Sequence, residues 1–334
     1  MPAPTVLTII LNYKTADMTL RSAQAARIAM QGLPGEITIV DNDSQDGSFE
    51  KIRDHVEAEQ WEGIRVLKSG HNGGYGAGNN VGIRAGMSDG TAPDFIYILN
   101  SDAFPEPEAI TELYNFLQTH PKTGFVGSYI FGEDGDRHTT TFRFPSILSE
   151  LESAIRFGPI TKLLKSYRVP REDIVGTASV DWLAGASMMM RRSVLDEIGL
   201  FDETFFLYFE EADLCARARS SNYSIHYVYE SRVMHLGSVS TGMKTWDRVP
   251  DYWFESRFHY FQKNYGLTYA GFATLVHLSA GSLHWLRCRL TGKTRDVSPN
   301  FLRSMAKHDF ANIIGSITGT THNQSPELDT KIGE

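Results

Sequence analysis

The sequence predicts an α/β protein with a mostly parallel central sheet flanked by helices and a helical extension at its carboxyl end. Three observations carry this. Early in the chain, short β-branched apolar runs alternate with helix-like stretches, the pattern of repeated βαβ units. Those runs are nearly all apolar, as strands covered by helices on both faces are. From Tyr252 onward the apolar spacing is helical.

Taken in order, Thr5–Leu11, Glu36–Val40, Arg65–Lys68 and Phe95–Leu99 read as strands. Between them Met18–Met30, Gly47–Ala58 and Gly78–Met87 read as helices, with Asp17 and Asp46 as candidate caps. Residues 132–146 are polar and rich in Gly, Asp, Thr and Arg, which predicts a surface loop. An amphipathic stretch follows over Ile147–Leu164. A second ordered block runs from Val180 to His235, with a strand at Ala186–Met190 and a helix at Glu210–Ser220.

Composition narrows the function. The chain has 334 residues, 41% of them hydrophobic, and a net charge of −8. That charge argues against nucleic acid as a partner, because such binding draws on phosphate neutralisation by Lys and Arg. Cys215 and Cys288 are too few and too far apart for a CxxC site or a disulfide framework, which predicts two small core residues in a reducing compartment. The opening MPAPTVLTIILNYK lacks a basic n-region and a full secretory apolar run, so a cytoplasmic protein is expected.

In an open α/β sheet, ligands bind beyond the carboxyl ends of the strands. Each predicted strand ends there in polar residues. The first gives Asn12-Tyr13, the second Asp41-Asn42-Asp43-Ser44, the third leads into His71-Asn72-Gly73-Gly74-Tyr75-Gly76-Ala77-Gly78-Asn79-Asn80, and the fourth gives Asn100-Ser101-Asp102. Singly each is a turn; four at one sheet edge predict a ligand site.

The glycine run is not a dinucleotide fingerprint, since it follows the third strand and reads G-x-G-x-G. Asp102, placed after a buried strand, could hold Mg²⁺ or Mn²⁺ and leave other positions for a diphosphate; the alternative is a cap for the segment starting at Pro105-Glu106. Glu210, Glu211 and Asp213 follow the apolar run Phe205–Phe209. Burial and like charge can raise the pKa of an acid there, as suits a general base; the alternative is charge complementing a helix start. His235, in Val233-Met234-His235-Leu236-Gly237-Ser238, could add a metal nitrogen or be an ordinary core histidine.

Together these residues resemble the family 2 glycosyltransferases of the GT-A fold, from the amino terminus to about Tyr265. Asn12-Tyr13, Val40-Asp41-Asn42-x-Ser44-x-Asp46-Gly47, Asn72-x-Gly74-Tyr75-Gly76-x-Gly78-Asn79-Asn80 and Leu99-Asn100-x-Asp102 resemble its donor-binding half. Asp181-Trp182-x-x-Gly185-Ala186, Gly199-x-Phe201-Asp202-Glu203, Glu210-Glu211-x-Asp213 and the His235 segment resemble its acceptor half. The resemblance implies a GT-A catalytic domain over 1–250, divided into a nucleotide-sugar half (1–104) and an acceptor half (105–250), with a helical extension over 251–334.

It further implies that Asn12, Tyr13, Asp41, Asn42, Ser44, Asn72, Gly74, Tyr75, Asn80, Asn100, Asp102, Trp182 and Gly185 serve the nucleotide sugar, Asp41 reading the base. Asp102 and His235 would hold the divalent metal, Mg²⁺ or Mn²⁺. Asn100 stands where the DxD motif has its first Asp, and Glu211 where the E-D motif has its Asp, leaving Glu211 and Asp213 both open as catalytic base. Phe142-Arg143-Phe144-Pro145-Ser146 and Trp182-x-x-Gly185-Ala186 resemble the bacterial rhamnosyltransferase branch, which implies dTDP-L-rhamnose as donor, a saccharide or polyprenyl-diphosphate-linked saccharide as acceptor, and cell-surface polysaccharide synthesis.

The competing readings are a sugar nucleotidyltransferase, which would place a basic Gly-rich loop after the first strand, and a non-catalytic nucleotide- or saccharide-binding protein. Asn264–Leu286 holds no Asp, Glu, Lys or Arg, and Arg287, Arg289, Lys293 and Arg295 follow. That pattern predicts either a peripheral contact with the inner face of a membrane or a helix packed on protein, a second copy of the chain included.

Overall fold

The computed structural model describes residues 3–237, 248–294 and 298–319. They form two compact units. The first holds the described residues of Met1–Phe142, Pro170–Phe206 and Glu210–Thr241; the second holds those of Arg143–Val169, Leu207–Phe209 and Gly242–Glu334. Ser238 and Arg295 of the sequence reading lie outside the described residues.

The first unit is an α/β sheet layered with helices. Its strands are β1 (Val6–Asn12), β2 (Gly35–Asp41), β3 (Ile64–Lys68), β4 (Phe95–Asn100), β5 (Ala103–Pro105), β6 (Thr123–Phe131), β7 (Thr141–Phe142), β8 (Ala178–Val180), β9 (Trp182–Leu183), β10 (Ser187–Arg191) and β11 (Ser224–His235). The main sheet runs β3-β2-β1-β4-β10-β6-β11-β5, with β8 beside β11. From β3 to β4 all pairs are parallel, as the βαβ pattern requires. Strand β10 enters antiparallel between β4 and β6.

The first strands form where the sequence places them because Val6, Leu7, Ile9 and Ile10 of β1, and Ile96 to Leu99 of β4, are sealed on both faces. Each such side chain contributes about 1.5–3 kcal/mol by leaving water. Strand β3 departs from the expectation of two-sided burial: it is the sheet edge and only half-buried. Helices α1 (Ala16–Ala29), α2 (Ser48–Ala58), α3 (Gly74–Ala85) and α4 (Ala109–Thr119) belong to this unit, and Ala23, Ala26 and Ala29 bring α1 close to the sheet.

Three details correct the sequence reading. Helix α3 begins at Gly74 rather than Gly78. Its glycines serve close packing: a Cβ on Gly74 would meet the Phe206 carbonyl oxygen at 1.9 Å, and one on Gly78 the Leu11 side chain at 2.5 Å. Asp17 is no cap, since Thr15 precedes the helix, whereas Asp46 accepts from the Ser48 N–H at 3.0 Å. The predicted loop at 132–146 also contains β7, which pairs with β9 through Thr141–Leu183 and Phe142–Trp182.

In the second unit, the stretch read as one amphipathic segment is two helices, α5 (Ile147–Ile155) and α6 (Gly158–Leu163). Arg156, at φ 43°, breaks them, and a Ser146–Ser149 capping box starts the first. Helices α7 (Arg192–Ile198) and α8 (Glu210–Ser220) return to the first unit; α9 (Asp251–Tyr265), α10 (Leu267–Thr291) and α11 (Phe301–Thr318) complete the second. Arg257 of α9 is buried among Glu150 of α5, at 2.7 Å, and Asp309 of α11, at 3.0 Å. Among the described residues no helix is long and apolar enough to cross a membrane.

Candidate active site

Strand register aligns the polar ends. Asn12 lies opposite Asp41, Asp41 opposite Lys68 and Leu11 opposite Asn100, so β1 to β4 finish level. Asp41 is nearly sealed: its Oδ1 accepts from Asn12 Nδ2 at 2.6 Å and Ser44 Oγ at 2.7 Å, and its Oδ2 from the Ser44 N–H at 3.1 Å. A carboxylate has about four acceptor positions, so capacity remains for one more donor. Thr19 Oγ1 fixes the far side of Asn12 by donating to Oδ1 at 2.7 Å.

Beside Asp41 opens a cleft of about 310 Å³, lined by Asp43, Gln45, Ser48, Phe49 and Lys68. Lys68 and Phe49 were missed by the sequence reading. The signal was available, since Lys68 ends a strand at the ligand edge. Asn42 closes the neighbouring loop, donating to Asn72 Oδ1 at 2.8 Å and to the Gly74 carbonyl at 3.3 Å. Tyr13, half-buried after β1, carries the Lys14 ammonium 5.1 Å from its ring centroid.

Asp102 and His235 come together although 133 positions separate them, because β11 pairs antiparallel with β5 and puts His235 opposite Ala103. Asp102 Oδ1 is 3.0 Å from His235 Nε2, and Asn100 Nδ2 is 3.4 Å from the same nitrogen. Asp102 does not cap the next helix, which starts at Ala109 after Glu108. The His138 ring stands 6.3 Å from that of His235, a neighbour the loop reading of its segment concealed.

Glu211 is tied to the same edge through the residues leading into β10. Its Oε1 accepts from the Gly185 N–H at 3.1 Å, the Gly185 carbonyl accepts from Tyr75 Oη at 2.7 Å, and the next residue, Ala186, accepts from the Asn100 N–H at 3.0 Å. A side chain here would displace both groups: a Cβ on Gly185 would lie 2.4 Å from Tyr75 Oη and 2.7 Å from Glu211 Oε1. Burial raises the pKa of Glu211 above the ordinary carboxylate value. That of Glu210 is pushed well higher, by burial and then by the Glu211 charge, and its Oε2 is buried without a partner among the described residues. Burial and the two glutamates also raise Tyr75 well above an ordinary phenol. Just before α8, Tyr208 and Phe209 hold φ near +70°, a strained backbone for bulky residues.

Several expected site residues are engaged in structure. Asn80 is fully buried, donating to the Phe201 carbonyl at 2.9 Å and to Glu203 Oε1 at 2.8 Å while accepting from the Phe201 N–H. Its amide holds the 201–203 loop on α3, leaving no donor for a ligand. The buried Asp213 carboxylate accepts from Arg217 Nε at 2.9 Å, and that guanidinium also binds the carbonyls of Ile198, Gly199 and Leu200. Trp182 stacks on Phe142 with centroids 4.2 Å apart. The apolar run before α8 is divided: Phe205 belongs to the first unit, whereas Phe209 packs on Trp253 and Tyr260 of the second.

Residues 6–199 match glycosyl transferase family 2. The chain belongs to the family 2 glycosyltransferases. This glycosyltransferase is 28% identical, over 217 residues, to the N-acetylglucosaminyl-diphospho-decaprenol L-rhamnosyltransferase of Mycobacterium tuberculosis H37Rv, covering 63% of this chain and 69% of that one. It is 26% identical over 166 residues to the rhamnosyltransferase WbbL of Escherichia coli K12, covering 48% and 60%. Among solved structures, the mannosyltransferase PcManGT of Pyrobaculum calidifontis, in complex with GDP-Man and Mn²⁺, shares the fold with a TM-score of 0.56 at 12% identity, over 97% of this chain and 89% of that one.

Proposed function

We propose that this glycosyltransferase moves L-rhamnose, with inversion, from dTDP-L-rhamnose to a saccharide hydroxyl carried on a lipid diphosphate. The observation that carries the reading is the connected run Glu211–Gly185–Ala186–Asn100–His235–Asp102, which joins a raised-pKa carboxylate to a candidate diphosphate site at one sheet edge. The relatives' rhamnosyltransferase names support the donor, and the decaprenol relative supports a lipid-linked acceptor. Residues 1–104 would supply the donor side and 105–250 the acceptor side.

The donor set fits a divalent metal. One carboxylate and one imidazole converge, and no group of three His, Cys, Asp or Glu does so among the described residues, so diphosphate and water would fill the other positions, as for Mg²⁺ or Mn²⁺. Asp102 and His235 would hold the metal, which would supply positive charge beside the departing diphosphate. Glu211 takes the acceptor hydroxyl proton as that oxygen bonds to the anomeric carbon and the bond from carbon to diphosphate oxygen breaks on the opposite face. Gly185 and Tyr75 hold Glu211 in place. Asp41, by its remaining acceptor capacity, and the cleft beside it serve the nucleobase.

Thermal unfolding with a panel of nucleotide sugars, with and without Mn²⁺, tests the assignment. Ligand at a hundredfold its Kd stabilises by about 2.7 kcal/mol, so dTDP-L-rhamnose raises the midpoint when Mn²⁺ is present. Stabilisation by a UDP- or GDP-sugar alone moves the donor assignment. No response to any nucleotide sugar removes the reading.

A further inference from the structure

We propose that the α5–α6 corner and the carboxyl half of α10 form one platform that docks on an anionic lipid surface, which deepens the reading of a lipid-linked acceptor. Arg287 joins the two segments. Its Nη2 donates to the carbonyls of Ile155, at 3.1 Å, and Arg156, at 2.6 Å, and its guanidinium lies 5.1 Å from the centroid of the Phe157 ring. Beneath it Ala280 packs with Ala154, Ile155 and Ile160.

Around this junction large apolar side chains face outward. Leu163 is 79% exposed, Leu290 78%, Leu283 59% and Leu286 46%. Leu283, Leu286 and Leu290 recur at helical spacing and form a stripe beside Arg287. Charge on these segments has a single sign. Arg156–Arg168 contains Arg156, Lys162, Lys165 and Arg168 and no carboxylate; Asn264–Thr294 contains Arg287, Arg289 and Lys293 and none either. Arg168 pairs with Glu152 of α5 at 3.8 Å, and the other cations of these two stretches, in a chain of net charge −8, are a local reversal of the molecule's charge.

That pairing selects the occupant. A second copy docking by this face across a two-fold axis would bring cations against cations. Anionic headgroups complement them, while the leucines enter the acyl boundary and the long basic stems reach back to the headgroups. Arg289, 5.4 Å from the centroid of Trp285, adds an aromatic–cation pair of the kind found at such interfaces.

Co-sedimentation of the full chain with phosphatidylcholine vesicles, and with vesicles that also contain phosphatidylglycerol, tests the proposal. The chain should bind only the anionic vesicles and release them as salt rises. Leu286→Gln with Leu290→Gln, and separately Lys162→Glu with Lys165→Glu, should each weaken binding roughly tenfold or more at an unchanged unfolding midpoint. Absence of binding at low salt, or equal binding by wild type and both variants, overturns it. So does a dimer that Leu286→Gln with Leu290→Gln dissociates while vesicles stay unbound. No donor enters the assay, so its failure leaves the glycosyl-transfer reading untouched.

Discussion

Glu211 and Asp213 lie two positions apart on one helix, yet their carboxylates have different work. Asp213 is sealed and spent on Arg217, whose guanidinium gathers three loop carbonyls, whereas Glu211 accepts from the Gly185 N–H. Glu211→Gln should lower turnover by about 10²–10⁴ with donor binding retained. Asp213→Asn should keep turnover and lose about 2 kcal/mol of stability in urea unfolding. The reverse pattern assigns the base to Asp213. Because burial raises the Glu211 pKa, activity should climb with pH on a limb above the ordinary carboxylate range, and Glu211→Gln should flatten that limb. At this scale the sequence was legible in residue type and less so in role. Asn80 looked like a ligand group, but its partner Phe201 lies 121 positions away, and local spacing carries no trace of that contact.

At the scale of elements, strands β1, β2 and β4 were readable because two-sided burial leaves continuous apolar runs. The start of α3 was not, because the glycine run looks like a loop; those glycines are there to admit Phe206 and Leu11, neither of which is local. The helices of the second unit rest on a buried ion cluster. Burial alone would raise the Glu150 pKa, but the Arg257 charge and His277, which bonds it at 2.7 Å, bring it down to about 2. A depressed carboxylate stabilises the fold above its unfolded value near 4.5, and that contribution is lost as pH falls toward 2. Arg257→Met, which removes the cation between Glu150 and Asp309, should destabilise by about 3–5 kcal/mol in denaturant at neutral pH. It should also remove the Arg257 share of the acid dependence. A variant as stable as wild type would show that the cluster does not hold these helices.

For the whole molecule, the sheet and its ligand edge followed from the order of polar strand ends, while the division into two units did not. Residues 143–169 and 207–209 group with the C-terminal helices, contacts that only the folded chain makes. The Asp102–His235 pair depends likewise on a β5–β11 pairing between strands far apart in the sequence. Its function is the central claim: a carboxylate and an imidazole support departure of a nucleoside diphosphate from a sugar. The most direct test is release of dTDP from dTDP-L-rhamnose, followed by mass spectrometry with Mn²⁺ or EDTA, for wild type and Asp102→Asn. The account predicts metal-dependent release by the wild type that falls at least about a hundredfold in Asp102→Asn while the unfolding midpoint is kept. Undiminished release by Asp102→Asn, or by the wild type in excess EDTA, would contradict it.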